Sequence, residues 1–223
     1  MKISKRLQKI AEMVKYPTLA DIGTDHGHLP IYLAQTGRVI KILATDINPG
    51  SLGRAEENIG NAGLTDFFET RLCDGLDGVN SHEYGTCVIS GMGGGLIIDI
   101  LQQNLQIARG FRQILLSPQR NVACVRVFLH ENGFCIDDEE MLEENEKFYN
   151  ILDVVSGREM PYDEKGYIFG KKLIEKRHTV LIKFVLAEIF KTNSIISGLC
   201  GHNDRRIELE RYLKHCNEVM KCL

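Results

Sequence analysis

The chain has 223 residues, a formal net charge of −3 and the hydrophobic content of an ordinary globular protein. This length suffices for one sizeable core plus an appendage. No apolar run is long enough to cross a membrane, and early charged residues interrupt any signal-peptide pattern. We therefore expect a cytoplasmic protein that has no membrane partner.

Charge is distributed unevenly along the sequence. Residues 165–223 contain 12 Lys and Arg against 6 Asp and Glu, whereas residues 1–164 contain 15 against 24. This asymmetry is typical of a chain whose C-terminal part meets a polyanion, although a solvated basic helix face gives the same pattern.

The seven cysteines are scattered without a C-x-x-C pair, so we expect reduced thiols and no metal. One combination could be assembled into a zinc site, but its spacings match no standard zinc framework. That combination is Cys200, His202, His215 and Cys216.

The first predicted elements are a helix, a strand and a glycine turn. Residues 3–16 have apolar residues at helical spacing, with Ser4 as a candidate cap and Arg6 on the polar face. The buried strand Thr18–Ile22 leads into the sequence D-I-G-T-D-H-G-H-L-P at residues 21–30. A strand followed by a glycine turn and a helix start is suited to holding a nucleotide-like ligand.

The charges of this turn restrict the ligand. Gly23 and Gly27 form G-x-x-x-G rather than G-x-G-x-x-G, and Asp21 and Asp25 would repel a pyrophosphate. A ligand with a cationic amino-acid end and no phosphate is compatible with both carboxylates. S-adenosyl-L-methionine (SAM) is such a ligand.

Two further strands are predicted to end in acidic residues. The strand at residues 40–45 ends at Asp46, where a carboxylate can hold both ribose hydroxyls; a turn or cap aspartate is the alternative. A helix over 51–61 follows. The strand at 67–72 precedes Asp74 and Gly75, which could meet an adenine amino group or form an ordinary turn.

The pattern then continues as alternating strands and helices. The strand Thr86–Ser90 runs into four glycines within residues 91–95, and a helix over 96–105 follows. Next come a strand at 113–116 that ends near Gln119 and the helix Val122–Glu131. This alternation predicts an α/β fold with a doubly wound sheet and ligands over the carboxyl ends of its strands.

The last third of the chain changes in composition. Strands at 134–137 and 148–155 are expected as an antiparallel edge pair, and the acidic run 137–146 between them as a solvated turn. Helical patterns at 172–191 and 203–223, with a turn around 193–201, predict an antiparallel helical hairpin, or coiled coil. We expect domains at 1–160 and 161–223.

Five motifs together resemble one protein family. These are D-I-G-T-D-H-G-H-L-P, A-T-D-I-N-P-G, C-D-G-L, I-S-G-M-G-G and L-S-P-Q, in this order. They closely resemble the bacterial tRNA (adenine-22-N1)-methyltransferases over residues 4–155. The segment E-N-E-K-F-Y-N-I is similar to a family segment but has Glu146 where glycine is usual and Asn150 where glutamate is usual.

The resemblance implies a Rossmann-like methyltransferase domain that uses SAM to methylate N1 of a tRNA adenine, with tRNA as partner and no protein partner required. It implies that the cofactor is bound by Asp21, Gly23, Thr24, Gly27, Leu29, Asp46, Ile47, Asp74, Gly75, Gly91, Met92 and Gly93. Candidate substrate contacts are Arg6, Gly94, Gln119, Tyr149, Arg205, Arg206 and Arg211. The catalytic candidates are Asp25 and His26, which could equally shape only the glycine turn.

Three other functions remain compatible with parts of the sequence. A SAM-dependent enzyme with a non-tRNA acceptor would keep the pocket but would not need the basic hairpin. A non-catalytic RNA-binding module could retain a relic SAM pocket. A nicotinamide oxidoreductase is least compatible, because its phosphates would face Asp25.

Overall fold

A computed structural model describes residues 2–199 and 204–223 of the chain. The chain divides into two compact units, one formed by residues 1–140 and 149–160 and the other by 141–148 and 161–223. Cys200 and His202, considered above as zinc ligands, and the end of the expected turn at 193–201 lie outside the described residues.

Two kinds of feature are not found within the described ranges. No helix there has both the length and the apolar character needed to cross a bilayer. The same residues contain no group of three or more His, Cys, Asp or Glu placed to hold a metal ion.

Seven strands form a single sheet. They are β1 (Thr18–Ile22), β2 (Lys41–Asp46), β3 (Phe68–Leu72), β4 (Thr86–Ser90), β5 (Gln113–Ser117), β6 (Phe134–Glu144) and β7 (Lys147–Ser156). The helices of the first unit are α1 (Lys5–Met13), α2 (His28–Gln35), α3 (Pro49–Asn61), α4 (Gly94–Gln103), α5 (Leu105–Gly110) and α6 (Val122–Glu131).

The sheet has the order β3-β2-β1-β4-β5-β7-β6. β1 to β5 are parallel, and β7 pairs antiparallel with β5. The order reverses between β1 and β4, so right-handed crossovers place the helices before and after this point on opposite faces of the sheet. The predicted α/β doubly wound fold is confirmed, and its ligand-binding crevice is expected at this reversal.

Local sequence determines several element boundaries directly. β1, β4 and α6 begin and end at the predicted residues. Ser4 caps α1 as predicted, since its hydroxyl oxygen accepts a hydrogen bond from the Leu7 N–H at 3.2 Å. α1 ends at Met13 rather than at residue 16, because Val14 is already extended.

The prediction of a solvated turn at 137–146 was wrong. β6 continues to Glu144, and only Asn145 and Glu146 form the turn, both in the left-handed conformation of a tight hairpin. Glu139 is fully buried because the Nε–H of buried Arg126 donates to its carboxylate at 2.6 Å. An acidic run can thus remain a strand when a buried arginine neutralises its inward-facing member.

The second unit is helical apart from the tip of the β6–β7 hairpin. Its helices are α7 (Glu164–Phe169), α8 (Lys171–Glu175), α9 (Thr179–Gly198) and α10 (Asp204–Met220). Leu181 and Val185 near the start of α9 pack in one core with Cys216 and Val219 near the end of α10. The two long helices are therefore antiparallel, as predicted.

The predicted bounds of the first long helix were wrong. Residues 171–175 form the separate helix α8, and Arg177 adopts a left-handed conformation that ends it. His178 then caps α9, because its Nδ1 accepts a hydrogen bond from the Val180 N–H at 3.2 Å. A break and a cap of this kind interrupt the helix without interrupting the apolar periodicity.

Candidate active site

A cleft of about 510 Å³ opens in the first unit where the strand order reverses. Its walls come from the turns that follow β1, β2, β4 and β5, and from the helices α1, α2 and α3. The lining residues are Arg6, Leu7, Asp21, Gly23, Thr24, Asp25, His26, His28, Leu29, Asp46, Ser51, Ser90, Gly91, Met92 and Gln119. The elements predicted to meet at the carboxyl ends of the strands thus do so.

The glycine turn after β1 contributes four residues to the lining of the cleft. Gly23 and Gly27 have φ values of 70° and 69°, in the left-handed region that favours glycine. A Cβ atom at Gly23 would lie 2.1 Å from the Cε atom of Met92. Any side chain at position 23 would therefore displace Met92, which also lines the cleft.

Asp21 is a buried carboxylate that faces this cleft. It is 5% exposed, and the Thr24 hydroxyl donates a hydrogen bond to its Oδ2 at 2.7 Å. No lysine or arginine among the described residues contacts it. Desolvation raises the pKa of Asp21 from 3.8 to about 6; the Thr24 hydrogen bond opposes this rise and the negative charge of Asp46 adds to it. A cationic ligand group would restore the missing counter-charge.

Asp46 is held rigidly at the end of β2. Its Oδ2 accepts a hydrogen bond from the Asp25 N–H at 3.1 Å, and its Oδ1 accepts one from the Asn48 N–H at 2.8 Å. Each carboxylate oxygen keeps a lone-pair direction beyond these bonds. The carboxylate can therefore accept from vicinal hydroxyl groups of a ligand without moving.

Asp25 and His26, the catalytic candidates, line the cleft but are largely exposed to solvent. The Asp25 side chain is 61% exposed, and its carboxylate lies 3.6 Å from an Arg54 guanidinium nitrogen and 3.7 Å from His26 Nε2. The rings of His26 and His28 stack with centroids 5.3 Å apart. Arg54 and solvent both reduce the field that Asp25 exerts inside the cleft.

The glycine-rich turn after β4 packs against the loop that follows β5. A Cβ atom at Gly94 would lie 2.6 Å from the carbonyl oxygen of Arg120, so only glycine fits there. The Gln119 N–H donates to the Met92 carbonyl at 2.9 Å. This contact brings Gln119 and Met92 into one wall of the cleft.

Arg6 and Tyr149 lie together in the first unit. The guanidinium carbon of Arg6 is 5.7 Å from the centroid of the Tyr149 ring, which is cation–π geometry. Arg6 lines the cleft, whereas Tyr149 is not part of the lining and contacts it through Arg6. Among the residues that the structure describes, Arg6 is the only Lys or Arg that lines this cleft.

Several residues predicted as cofactor contacts do not line the cleft. Gly27 caps α2, and Ile47 is 64% exposed beyond the end of β2. Gly75 packs against Ile100, since a Cβ atom built on it would lie 3.1 Å from that side chain. Asp74 is exposed in the turn after β3, close to Asp46 because the Cys73 N–H donates to the Asp46 carbonyl at 3.1 Å. Gly93 contacts the loop after β5 instead, as does Gly94, which was predicted as a substrate contact.

The three arginines predicted to bind substrate from the hairpin all belong to α10 of the second unit. Two of them have acidic partners: Arg206 Nε lies 2.9 Å from Glu210, and Arg211 Nη2 lies 2.6 Å from Glu164. Arg205 is exposed. The positive charge of the hairpin is thus partly offset within the unit itself.

Four residues of the lining were not predicted from the sequence, namely Leu7, His28, Ser51 and Ser90. His28 and Ser90 lie within the quoted motifs and Ser51 directly follows one, so their place at strand ends or helix starts was a usable signal. Leu7 had no such signal, because only the packing of α1 shows which of its residues faces the cleft.

Comparisons with known proteins agree with this geometry. The profile of a family described as a methyltransferase domain matches residues 3–152. The tRNA (adenine(22)-N(1))-methyltransferase of Bacillus subtilis is 31% identical over the whole chain and 96% of its own length.

Solved structures extend the comparison. The crystal structure of Streptococcus pneumoniae Sp1610 superposes with a TM-score of 0.93 at 30% identity, covering 98% of this chain and 100% of that one. The same protein in complex with S-adenosyl-L-methionine gives a TM-score of 0.89. The B. subtilis m1A22 tRNA methyltransferase gives 0.86 at 28% identity, covering 98% and 99% of the two chains.

These matches span nearly the full length of each protein, and the resemblance inferred from the five motifs is confirmed. Residues 3–152 form a methyltransferase domain. The chain belongs to the family of tRNA (adenine(22)-N1)-methyltransferases.

Proposed function

We propose that this protein transfers the methyl group of SAM to N1 of the adenine at position 22 of tRNA, in the cytoplasm. The observation that carries the proposal is the full-length relationship to the B. subtilis enzyme of that name, 31% identical over 96% of its length. The cleft in the first unit supplies the chemistry that such a reaction requires.

The residues of the cleft fit SAM at two points. Asp21 is buried, lacks a cation among the described residues and has a raised pKa, so it suits the ammonium group of the amino-acid end. Asp46 has both carboxylate oxygens fixed by backbone N–H groups and suits the two ribose hydroxyls. Asp74, in the turn after β3 and close to Asp46, is our candidate for the adenine amino group.

SAM, when bound, supplies a methyl group that a positive sulfur activates toward nucleophiles. Neutral adenine N1 already carries a lone pair, so no side chain has to remove a proton before attack. The protein's task is therefore mainly to align the two reactants and to exclude other geometries. The glycines that let β4, β5 and Met92 pack closely shape this space.

The methylated adenine gains a positive charge, which a nearby carboxylate stabilises. Asp25 is the candidate, with His26 beside it. Because Asp25 is 61% exposed and near Arg54, we assign it a modest contribution. Gln119 on the wall and Tyr149 beside Arg6 are candidates for pairing with, or stacking on, an extruded base.

The α9–α10 hairpin is the proposed docking element for the body of the tRNA. Residues 165–223 carry six more basic than acidic residues, which favours a polyanionic partner. The candidate contacts are Arg205, Arg206 and Arg211.

Methyl transfer from labelled SAM to unmodified tRNA tests the proposal, followed by nucleoside digestion. We expect labelled 1-methyladenosine with wild-type tRNA and none with a tRNA that has guanine at position 22. SAM binding without label in any tRNA would favour a different acceptor. Label in a different nucleoside would refute the assignment of N1.

A further inference from the structure

Two arginine side chains lie against the glycine turn that follows β4. The Nη1 atom of Arg6 lies 3.6 Å from a Cβ atom built on Gly91, and the Nε atom of Arg120 lies 3.2 Å from one built on Gly93. Met92, between these glycines, lines the cleft. Arg6 approaches from α1 and Arg120 from the loop after β5, so the two guanidinium groups lie on either side of the turn that carries Met92.

The backbone of Arg120 is held in place. Its carbonyl oxygen accepts a hydrogen bond from the Gly94 N–H at 3.0 Å, and the preceding residue, Gln119, is bonded to Met92. The following residue, Asn121, is fixed in the left-handed region at φ 58°. Arg120 is therefore presented from a defined loop, next in sequence to a residue of the cleft wall.

The guanidinium group of Arg120 is accessible to an anionic ligand. It is exposed, and in the ranges that the structure describes no carboxylate pairs with it. In contrast, Arg206 and Arg211 of the hairpin both have acidic partners. An exposed guanidinium without a carboxylate partner, one residue from Gln119 of the cleft lining, is suited to bidentate binding of a phosphate.

We propose that Arg120 binds a backbone phosphate of the tRNA beside the target adenosine, and so positions the strand while the base enters the cleft. This inference rests on the proposed function, because it requires an RNA acceptor. Phosphate contacts fix the register of a nucleic acid on a protein without reading its sequence. We therefore expect Arg120 to affect tRNA binding and not the choice of base.

The chain offers a matched control for this residue. Arg112 immediately precedes β5 and Arg120 lies three residues beyond its end, so the two arginines flank opposite ends of one strand. Arg112 is also exposed, and its guanidinium lies over the Tyr16 ring. Substitution of either residue removes one positive charge from the same unit, but only Arg120 lies against the glycine turn after β4.

The test compares Arg120→Ala, Arg120→Lys and Arg112→Ala by tRNA affinity over a range of salt concentrations. For Arg120→Ala we expect about tenfold weaker binding at low salt and a slope of log K against log salt smaller by about one. Arg120→Lys should keep the slope, and Arg112→Ala should match the wild type. Melting temperatures and SAM affinity should stay unchanged in all three.

Equal slopes for Arg120→Ala and Arg112→Ala would overturn the inference. A loss of SAM affinity in Arg120→Ala would also overturn it, because Arg120 would then bind the cofactor's carboxylate. Failure of the wild type to form 1-methyladenosine would refute the proposed function instead, and the salt slopes would still report whether Arg120 contacts a polyanion.

Discussion

Replacing Asp21 with asparagine should stabilise the ligand-free protein and weaken SAM binding at the same time. The folded protein holds this carboxylate away from water, which raises its pKa from 3.8 to about 6. Because the pKa is higher in the folded state, the stability that the group contributes is full below pH 4 and is lost as the pH rises through 6. At pH 7.5 the buried charge therefore opposes folding.

The magnitude follows from the two pKa values. A difference of about two pKa units corresponds to about 3 kcal/mol at pH 7.5, and about half of that at pH 5. An asparagine at position 21 can still accept the hydrogen bond from the Thr24 hydroxyl. For a unit of this size, 3 kcal/mol corresponds to about 6–12 °C in melting temperature.

Thermal unfolding from pH 4 to pH 8 measures this effect, and calorimetry at pH 7.5 measures SAM affinity. Asp21→Asn should melt higher than the wild type at pH 7.5, with the gap closing toward pH 4, and should bind SAM at least about tenfold more weakly. Wild-type SAM affinity should itself fall below pH 6, where Asp21 becomes protonated. Asp66→Asn, at an exposed position, serves as control.

Equal melting temperatures of Asp21→Asn and the wild type across this pH range would refute the reasoning about the buried charge. Unchanged SAM affinity in a folded Asp21→Asn protein would separately refute Asp21 as the ammonium partner.

The other predictions concern the ribose site, the turn between β6 and β7, the buried ion pair of Arg126 and Glu139, and the α9–α10 hairpin. Asp46→Ala should leave the fold intact and weaken SAM binding by at least about tenfold, as measured by calorimetry; an unchanged dissociation constant would exclude the ribose contact. Glu146→Gly should stabilise the protein by about 1 kcal/mol, because residue 146 has φ 60°; a lower melting temperature would contradict this. Arg126→Met should cost about 3–5 kcal/mol by leaving Glu139 buried without its partner, and Glu139→Leu in the same chain should restore most of the loss in chemical denaturation. Charge reversal on α10 should weaken tRNA binding in a salt-dependent way while SAM affinity stays the same. Equal tRNA affinity would exclude electrostatic binding of tRNA by the α9–α10 hairpin. The residues to reverse are Arg205, Arg206 and Arg211.

The parallel part of the sheet could be predicted from sequence because its determinants are local. β1 and β4 are short apolar runs that end in polar or glycine-rich turns, and α6 begins and ends at residues typical of helix boundaries. The carboxyl ends of such strands necessarily meet at one edge, so the strand pattern alone predicts that Asp21 and Asp46 face one ligand site.

The errors arose where a packing partner or an unusual backbone conformation, rather than the local residue pattern, decides the structure. The strand around Glu139 looks like a solvated loop until Arg126, 13 residues earlier, is placed beside it. The break before α9 depends on the left-handed conformation of Arg177, which is uncommon for arginine and has no signal in the sequence. Which face of α1 lines the cleft, and hence the place of Leu7, depends on packing alone.

The split of the β6–β7 hairpin between the two units limits how the protein can be divided or recombined. Residues 141–148, the tip of this hairpin, belong to the helical unit. Met141, the first of them, is 3% exposed and packs in the core of that unit with Phe169 and Leu173. A chain ending at Met160 would expose this tip to solvent and become prone to aggregation. An independently folding first unit requires residues 141–148 to be replaced by a short turn as well. Transplanting the helical unit onto another methyltransferase would likewise require both of its segments, residues 141–148 and residues 161–223.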